Sequence, residues 1–319
     1  MTMRLVRASS LVVVAALALT ACGHDPAPEG DAAGGATASE AGFPRTVEHA
    51  MGSTEIPAEP ERVVVLDTGE LDSALSLGVT PVGAVTTAVS EEFLSYLAED
   101  AEGVEVVGTI AEPDLEAIAA LEPDLILSNS VRHEDIYEQL AQIAPTVFAA
   151  DLGDTWKENL LLDAEALGKE EEAEELLADY EEQAGRLGED IGDAAGTTVS
   201  PLRFVGGAIR AYRPDSFIGT VLADIGLDHI ELPAGENPTF AELSPEQLTQ
   251  GDADIVLYSS YGAADESGEA EVVGGPLWPR LTAVQERRAF QVEDDVFYTG
   301  IGLRAATLQL EQLRELLAG

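Results

Sequence analysis

Cysteine is almost missing from this chain: Cys22 is the single one in 319 residues, which excludes any intramolecular disulfide. Lysine is nearly as scarce, limited to Lys157 and Lys169, and 16 basic residues stand against 60 acidic ones. A formal charge of −44 makes nucleic acid a poor partner, because a polyanion would be repelled. His49, His133 and His229 lie too far apart in the sequence to suggest a zinc or manganese site, which needs three or four converging ligands. There is no G-x-S-x-G, no P-loop and no cysteine placed as a nucleophile, so catalysis has no motif to rest on. An extracellular enzyme would need a nucleophile, an acid–base pair or a metal cluster that the sequence does not supply.

What is present begins with a targeting segment over residues 1–21. Arg4 and Arg7 make a basic start, Leu11 to Leu19 an apolar run, and Leu19-Thr20-Ala21 a small-residue ending before Cys22. The run is too short to cross a membrane, which takes about 20 residues. The L-T-A-C pattern resembles the bacterial lipobox, which implies that Cys22 is lipidated and becomes the mature N-terminus. Residues 22–42 are rich in Gly, Ala, Pro, Asp and Glu and read as a flexible tether. Loss of Arg4 and Arg7 with the signal makes the mature form more acidic still, consistent with a general solvation strategy.

From Phe43 onward, short apolar strands alternate with helices. Arg62–Leu66, Val79–Val85, Val104–Val107, Asp124–Ser128 and Thr146–Phe148 read as strands of a first lobe, residues 43–152. Residues 192–319 repeat the grammar, with strands at Leu202–Val205, Ile255–Tyr258 and Phe290–Val292 and a closing amphipathic helix at Leu303–Leu317. Glu116, Ile118, Asp124 and the run 125–127 recur at identical offsets as Glu246, Leu248, Asp254 and the run 255–257. Between the lobes, residues 153–191 hold a proline-free stretch from Thr155 to Ile191 with apolar residues spaced by three and four and thirteen acidic residues around them. It predicts one continuous helix of roughly 50 Å at about 1.5 Å per residue, packed on both lobes as a strut. The fold class is therefore α/β, with two Rossmann-like lobes and a cleft between them at the strand ends.

The stretches RVVVLDTGELDSALSLGVTPVGAV, GTIAEPDLEAIAALEPDLILS and PLWPRLTAVQERRAFQVEDDVFYTGIGLRAA resemble the periplasmic-binding-protein family for ferric siderophores and vitamin B12. The resemblance runs from about Phe43 to the C-terminus. It implies two lobes on one rigid helix (the class III arrangement), and a receptor on the outer face of the cytoplasmic membrane. It also implies delivery of a captured ligand to an ABC permease dimer, with the membrane engaged only through lipid on Cys22. The receptor would be a monomer. Glu116 and Glu246, each the second residue of a short helix behind Asp114 or Ser244, match the family's permease-docking glutamates. In a first turn, a carboxylate is also simply stabilised by the helix dipole, by about 0.3–1 kcal/mol.

Candidate ligand contacts are Thr68 after the first strand, Arg132 after the strand ending at Ser128, and Arg210, Tyr212 and Arg213 in a loop before the helix at Ser216. Arginine forks suit carboxylate, catecholate or hydroxamate oxygens. Phe240, Tyr258, Tyr261 and Tyr298 are candidate aromatic walls, whereas Trp278 reads as core. No cofactor is expected, because iron would arrive inside its chelator. The family's hydroxamate binders carry an arginine in a VG-x-x-x-EP loop where this chain has Thr109-Ile110-Ala111. Charge still argues for hydroxamate ligands, since ferrioxamine-type chelates carry no net negative charge, and screening beyond about 8 Å only softens repulsion of catecholates. A corrinoid or haem on the same scaffold is the rival ligand, and a surface lipoprotein without transport is the rival role.

Overall fold

A computed structural model describes residues 42–192, 194–233, 235 and 237–317. Cys22, the targeting segment and nearly all of the tether lie outside the described residues. The described chain opens on a hairpin of β1 (Arg45–His49) and β2 (Gly52–Ile56). The N-terminal lobe follows as β3 (Val63–Val65), α1 (Thr68–Ser76), β4 (Gly83–Thr86), β5 (Glu105–Thr109), β6 (Glu112–Pro113), α2 (Leu115–Ala120) and β7 (Leu125–Asn129). Two short helices, α3 (Ser130–His133) and α4 (Tyr137–Leu140), then lead to β8 (Thr146–Ala149). Its sheet runs β6-β5-β4-β3-β7-β8, parallel throughout except for β6. Chain order reverses between β3 and β7, so the topological switch point lies at the ends of these two strands.

The C-terminal lobe has β9 (Thr198–Val205), β10 (Ala208–Tyr212), α7 (Phe217–Ile225), β11 (Asp228–His229), β12 (Phe240–Leu243) and β13 (Ile255–Ser260). After α8 (Ala264–Ser267), α9 (Glu269–Val273), α10 (Thr282–Gln285) and β14 (Ala289–Gln291), the described chain closes with α11 (Leu303–Leu317). The order is β12-β10-β9-β13-β14, with β11 also on β9. β9 and β13 are parallel neighbours, as β3 and β7 are in the first lobe. The repeat read from sequence has a physical counterpart. Asp124 accepts the backbone N–H groups of Glu61 and Arg62 at 2.8 Å, and Asp254 accepts that of Thr198 at 2.8 Å. In each lobe the carboxylate before the second strand thus ties down the start of the first, while Ile118 and Leu248 are fully buried.

Period-two alternation sorts the strand residues. Val63, Val65, Leu125, Leu127, Ile255 and Leu257 join a core shared by both lobes and the helices between them. Val64, Leu66 and Ile126 serve an outer layer of the first lobe, and Leu202, Phe204 and Val256 one of the second. Burial on both faces explains the unbroken Val-Val-Val and Ile-Val-Leu runs.

The connecting stretch differs from the expected single helix. It is two helices, α5 (Trp156–Leu167) and α6 (Glu170–Ile191), parted at Gly168. Gly168 is left-handed (φ 72°, ψ 37°); its N–H bonds Glu165 O, and the Lys169 N–H bonds Ala164 O at 2.8 Å. That is a Schellman stop, open to glycine because it has no Cβ. The chain then folds back: Trp156 meets the Tyr180 ring edge-on at 5.1 Å, and Lys157 pairs with Glu181. The joint is therefore an antiparallel helical hairpin, with α6 about 33 Å long at about 1.5 Å per residue. Near its turn, Arg45 bonds Glu165 O and Glu170; at its open end, Trp156 Nε1 donates to Thr220 Oγ1 of α7. Among the described residues, no helix is long and apolar enough to cross a membrane.

Candidate binding site

The two switch points meet at the hinge. In the N-terminal lobe, Asp67 follows β3 as the cap of α1 and Asn129 ends β7, both buried. Asn129 caps α3 through its side chain and also donates to Asp67 Oδ2 and Glu70 Oε1 at 3.2 and 3.1 Å. Arg132 Nε donates to Asp67 Oδ2 at 3.1 Å, and its side chain remains 45% exposed, so charge and surface access coexist. Thr68 crosses to the other lobe: its hydroxyl lies 3.3 Å from Thr299 O and 3.2 Å from Asp67 Oδ1, which share its one proton.

In the C-terminal lobe, Arg210 and Tyr212, read as a loop, are strand, and Arg213 follows its end. Gly206 and Gly207 have φ of 56° and 86° and close a two-residue hairpin between β9 and β10. Both positions need positive φ, so the pair of glycines suits this turn. Arg210 and Tyr212 therefore stand on one face of β10, and Arg210 is paired across the strands with Arg203 of β9. The Arg210 guanidinium lies over the Phe240 ring at 4.5 Å, and its Nε–H is buried without a partner. Tyr212 packs on Tyr298 at 5.0 Å and on Phe240 at 5.9 Å. The Tyr298 hydroxyl donates to Leu257 O at 2.9 Å, and burial pushes its pKa well up.

Between the lobes lies a cavity of 260 Å³, lined by Thr87, Val89 and Glu92 to Leu94 after β4, by Ser260 to Gly262 after β13, and by Asp294, Asp295 and Thr299. Tyr261 stands on its wall. Larger hollows occur as well: one of 430 Å³ around Tyr96, Leu176 and Arg304 shares no residue with this cavity, and one of 540 Å³ adjoins it through Asp294 and Asp295 but opens on Tyr96, Leu308 and Gln312. The smaller one, lined by loops after strands of both lobes, is the candidate cleft.

Arg203 was not singled out by the sequence reading. It is 6% exposed and donates to both carboxylate oxygens of Asp294, with Nε–Oδ1 at 2.7 Å. Its guanidinium lies 4.3 Å from the Tyr261 ring centre. Arg203, Tyr212, Tyr261 and Tyr298 thus form one cluster. Tyr258 is a correction: it points to the opposite face, packed on Trp278 at 4.9 Å and on Phe204, because it alternates with Leu257. Trp278 is buried there, as read. Arg213 also departs from the cluster, with Nη2 bonded to Pro233 O. His133 is buried, with Nδ1 2.7 Å from Ser128 Oγ and Nε2 2.7 Å from Ile110 O, and burial lowers its pKa. Among the described residues no group of three or more His, Cys, Asp and Glu could hold a metal ion.

Glu116 and Glu246 are exposed, each second in a helical turn. Asp114 accepts from the N–H groups of Glu116 and Ala117 at 3.0 Å, and Ser244 forms a capping box with Gln247. They occupy equivalent places in the two lobes.

Residues 63–296 match the family described as periplasmic binding protein. A probable siderophore-binding lipoprotein of Bacillus subtilis (strain 168) is 41% identical, the match covering 84% of this chain and 86% of the relative. The Fe(3+) dicitrate-binding periplasmic protein of Escherichia coli (strain K12) is 30% identical over 83% of this chain and 87% of that one. Among solved structures, Staphylococcus aureus SirA complexed with staphyloferrin B superposes with a TM-score of 0.76 at 30% identity, covering 86% of this chain and 98% of SirA. Two switch points opposed across one hinge, and a family match over most of the chain, lead to one assignment: this chain belongs to the periplasmic binding protein family.

Proposed function

We propose that this chain is an extracytoplasmic receptor, anchored by lipid on Cys22, that captures a ferric siderophore and hands it to an ABC permease dimer. The observation that carries the reading is the hinge itself. Tyr261 lines the cavity between the lobes, while Arg132, half-exposed at one switch point, and Arg210, stacked on Phe240 in the other lobe, supply guanidinium groups in a chain with few basic residues. Arginine forks recognise the charged or polarised oxygens that surround a chelated ferric ion. The similarity to a probable siderophore-binding lipoprotein and to a dicitrate-binding protein supports an iron chelate as cargo. Thr68, Arg132, Arg210, Tyr212, Phe240, Tyr261 and Tyr298 are the proposed cleft residues, and the iron takes no ligand from the protein.

Haem would need an axial His or Tyr. Both His133 nitrogens and the Tyr298 hydroxyl are already engaged, so Tyr261 on the cavity wall is the residue that a haem would have to use. The test is a fluorescence titration of the mature protein with ferrioxamine, a ferric catecholate, ferric citrate, haem and cobalamin, each beside its metal-free form where one exists. Saturable sub-micromolar binding of one ferric chelate is expected, and its identity decides between hydroxamate, catecholate and carboxylate donors. A cobalamin or haem response would keep the scaffold and overturn the cargo; no response from any would overturn siderophore capture.

A further inference from the structure

We infer that Arg203 is a positioning residue for ligand capture, which sets the cleft wall through Tyr261 and fastens that wall to the opposite lobe. The inference rests on the proposed capture function and goes further, to a residue with no assigned role. Arg203 is nearly enclosed: 6% of it is exposed, Asp294 occupies its fork, and Tyr261 covers its planar face at 4.3 Å. A second tyrosine, Tyr298, stands 5.8 Å from the guanidinium carbon. A group so enclosed acts on a ligand through what lies on it, and what lies on it is a cavity-lining ring.

Asp294 is held in turn. Its Oδ1 accepts from Ser259 Oγ and its Oδ2 from Thr299 Oγ1, both at 2.7 Å. Thr299 Oγ1 also accepts from Arg203 Nη2, while the Thr299 carbonyl receives the Thr68 hydroxyl of the other lobe. Beyond Thr68, Asp67 reaches Arg132. A continuous polar path therefore runs from a half-exposed arginine of one lobe to the buried arginine under the wall of the other. Only arginine fits the inner end: a planar fork satisfies two carboxylate oxygens while its face stacks on a ring, and an ammonium group has neither shape.

The test is a double-mutant cycle of Arg203→Lys and Tyr261→Ala in the full mature chain, titrated with ferric citrate, with ferrioxamine and with a ferric catecholate. Lysine keeps the buried charge paired, so the variant is built to fold. Arg203→Lys is expected to weaken chelate binding about tenfold when Tyr261 is present and less than about twofold in the Tyr261→Ala background, as for coupled neighbours. Equal losses in both backgrounds, or no loss from Tyr261→Ala, would overturn the inference. Should none of these chelates bind the wild type, the capture reading is what fails, and thermal unfolding of the same four proteins decides the platform: non-additive shifts support it and additive shifts overturn it. Thr68→Val tests the far end, with an expected loss of affinity of a fewfold and no change in fold by circular dichroism; unchanged affinity would remove the interlobe part of the inference.

Discussion

Asp163 of α5 and Glu70 of α1 are buried acids with no basic residue bonded to them, and Glu70 Oε2 and Asp163 Oδ2 are both unpartnered. Burial pushes Asp163 up to about 8, against a lowering hydrogen bond from Ser73. Glu70 is raised well above the ordinary range, by burial and then by the nearby charges of Asp67 and Asp163, with Asn129 opposing. Asp72, buried beneath the start of α11, is raised to about 6 by burial although Arg304 N–H, Ala305 N–H and Tyr96 OH all donate to it. A raised acid holds its proton in the folded state after the unfolded chain has lost it near pH 4. Stability therefore falls as pH rises from about 4 to the folded value and levels off above it. Asp72 acts up to about pH 6 and Asp163 up to about pH 8. The midpoint of thermal unfolding should be higher at pH 5 than at pH 8, and Asp163→Asn should flatten the slope between pH 6 and pH 8. A slope in Asp163→Asn equal to wild type would show that the general acidity of the chain, not this carboxyl, sets the trend.

At the scale of elements, α6 offers a paired prediction. Gly185 has open space where a Cβ would stand, while a Cβ on Gly188 would run into the backbone carbonyl of Ile225 at the end of α7. Gly185→Ala should stabilise by about 0.5–1 kcal/mol through helix propensity. Gly188→Ala should instead cost about 1–3 kcal/mol, since α7 must move. Urea unfolding of both variants checks this, and equal gains would mean that α6 and α7 are not so closely packed. The same elements show what the sequence could disclose. Apolar runs marked the strands, because both faces of each sheet are buried. The helical period survived Gly168 by coincidence of spacing, so a hairpin read as a strut; the Leu-Gly-Lys stop was the signal against it. Gly206-Gly207 was a hairpin signal too, and would have placed Arg210 and Tyr212 on a strand. Counting by two from Leu257 would have turned Tyr258 outward. Arg203 had no such mark, because a buried arginine inside an apolar strand is distinguished only by its distant partners Asp294 and Tyr261.

Over the whole molecule, the two lobes present one repeated element outward. Ile118 and Leu248 are sunk in their own outer layers, Asp114 and Ser244 cap the turns above them, and Glu116 and Glu246 are left in solvent. A carboxylate fixed in this way gains nothing from ligand in the cleft, since the proposed ligand residues stand at the hinge rather than on these turns. On the proposed function, docking to a permease therefore separates from capture. Replacing both by alanine should leave chelate affinity and unfolding temperature near wild type while abolishing uptake in cells that depend on this receptor. Each single replacement should reduce uptake less than the double one does. Because exposed charges would carry the contact, receptor binding to permease in detergent or nanodiscs should weaken as salt is raised. Uptake retained by Glu116→Ala/Glu246→Ala would remove both carboxylates from the docking surface and reduce them to helix-turn residues favoured by the local dipole.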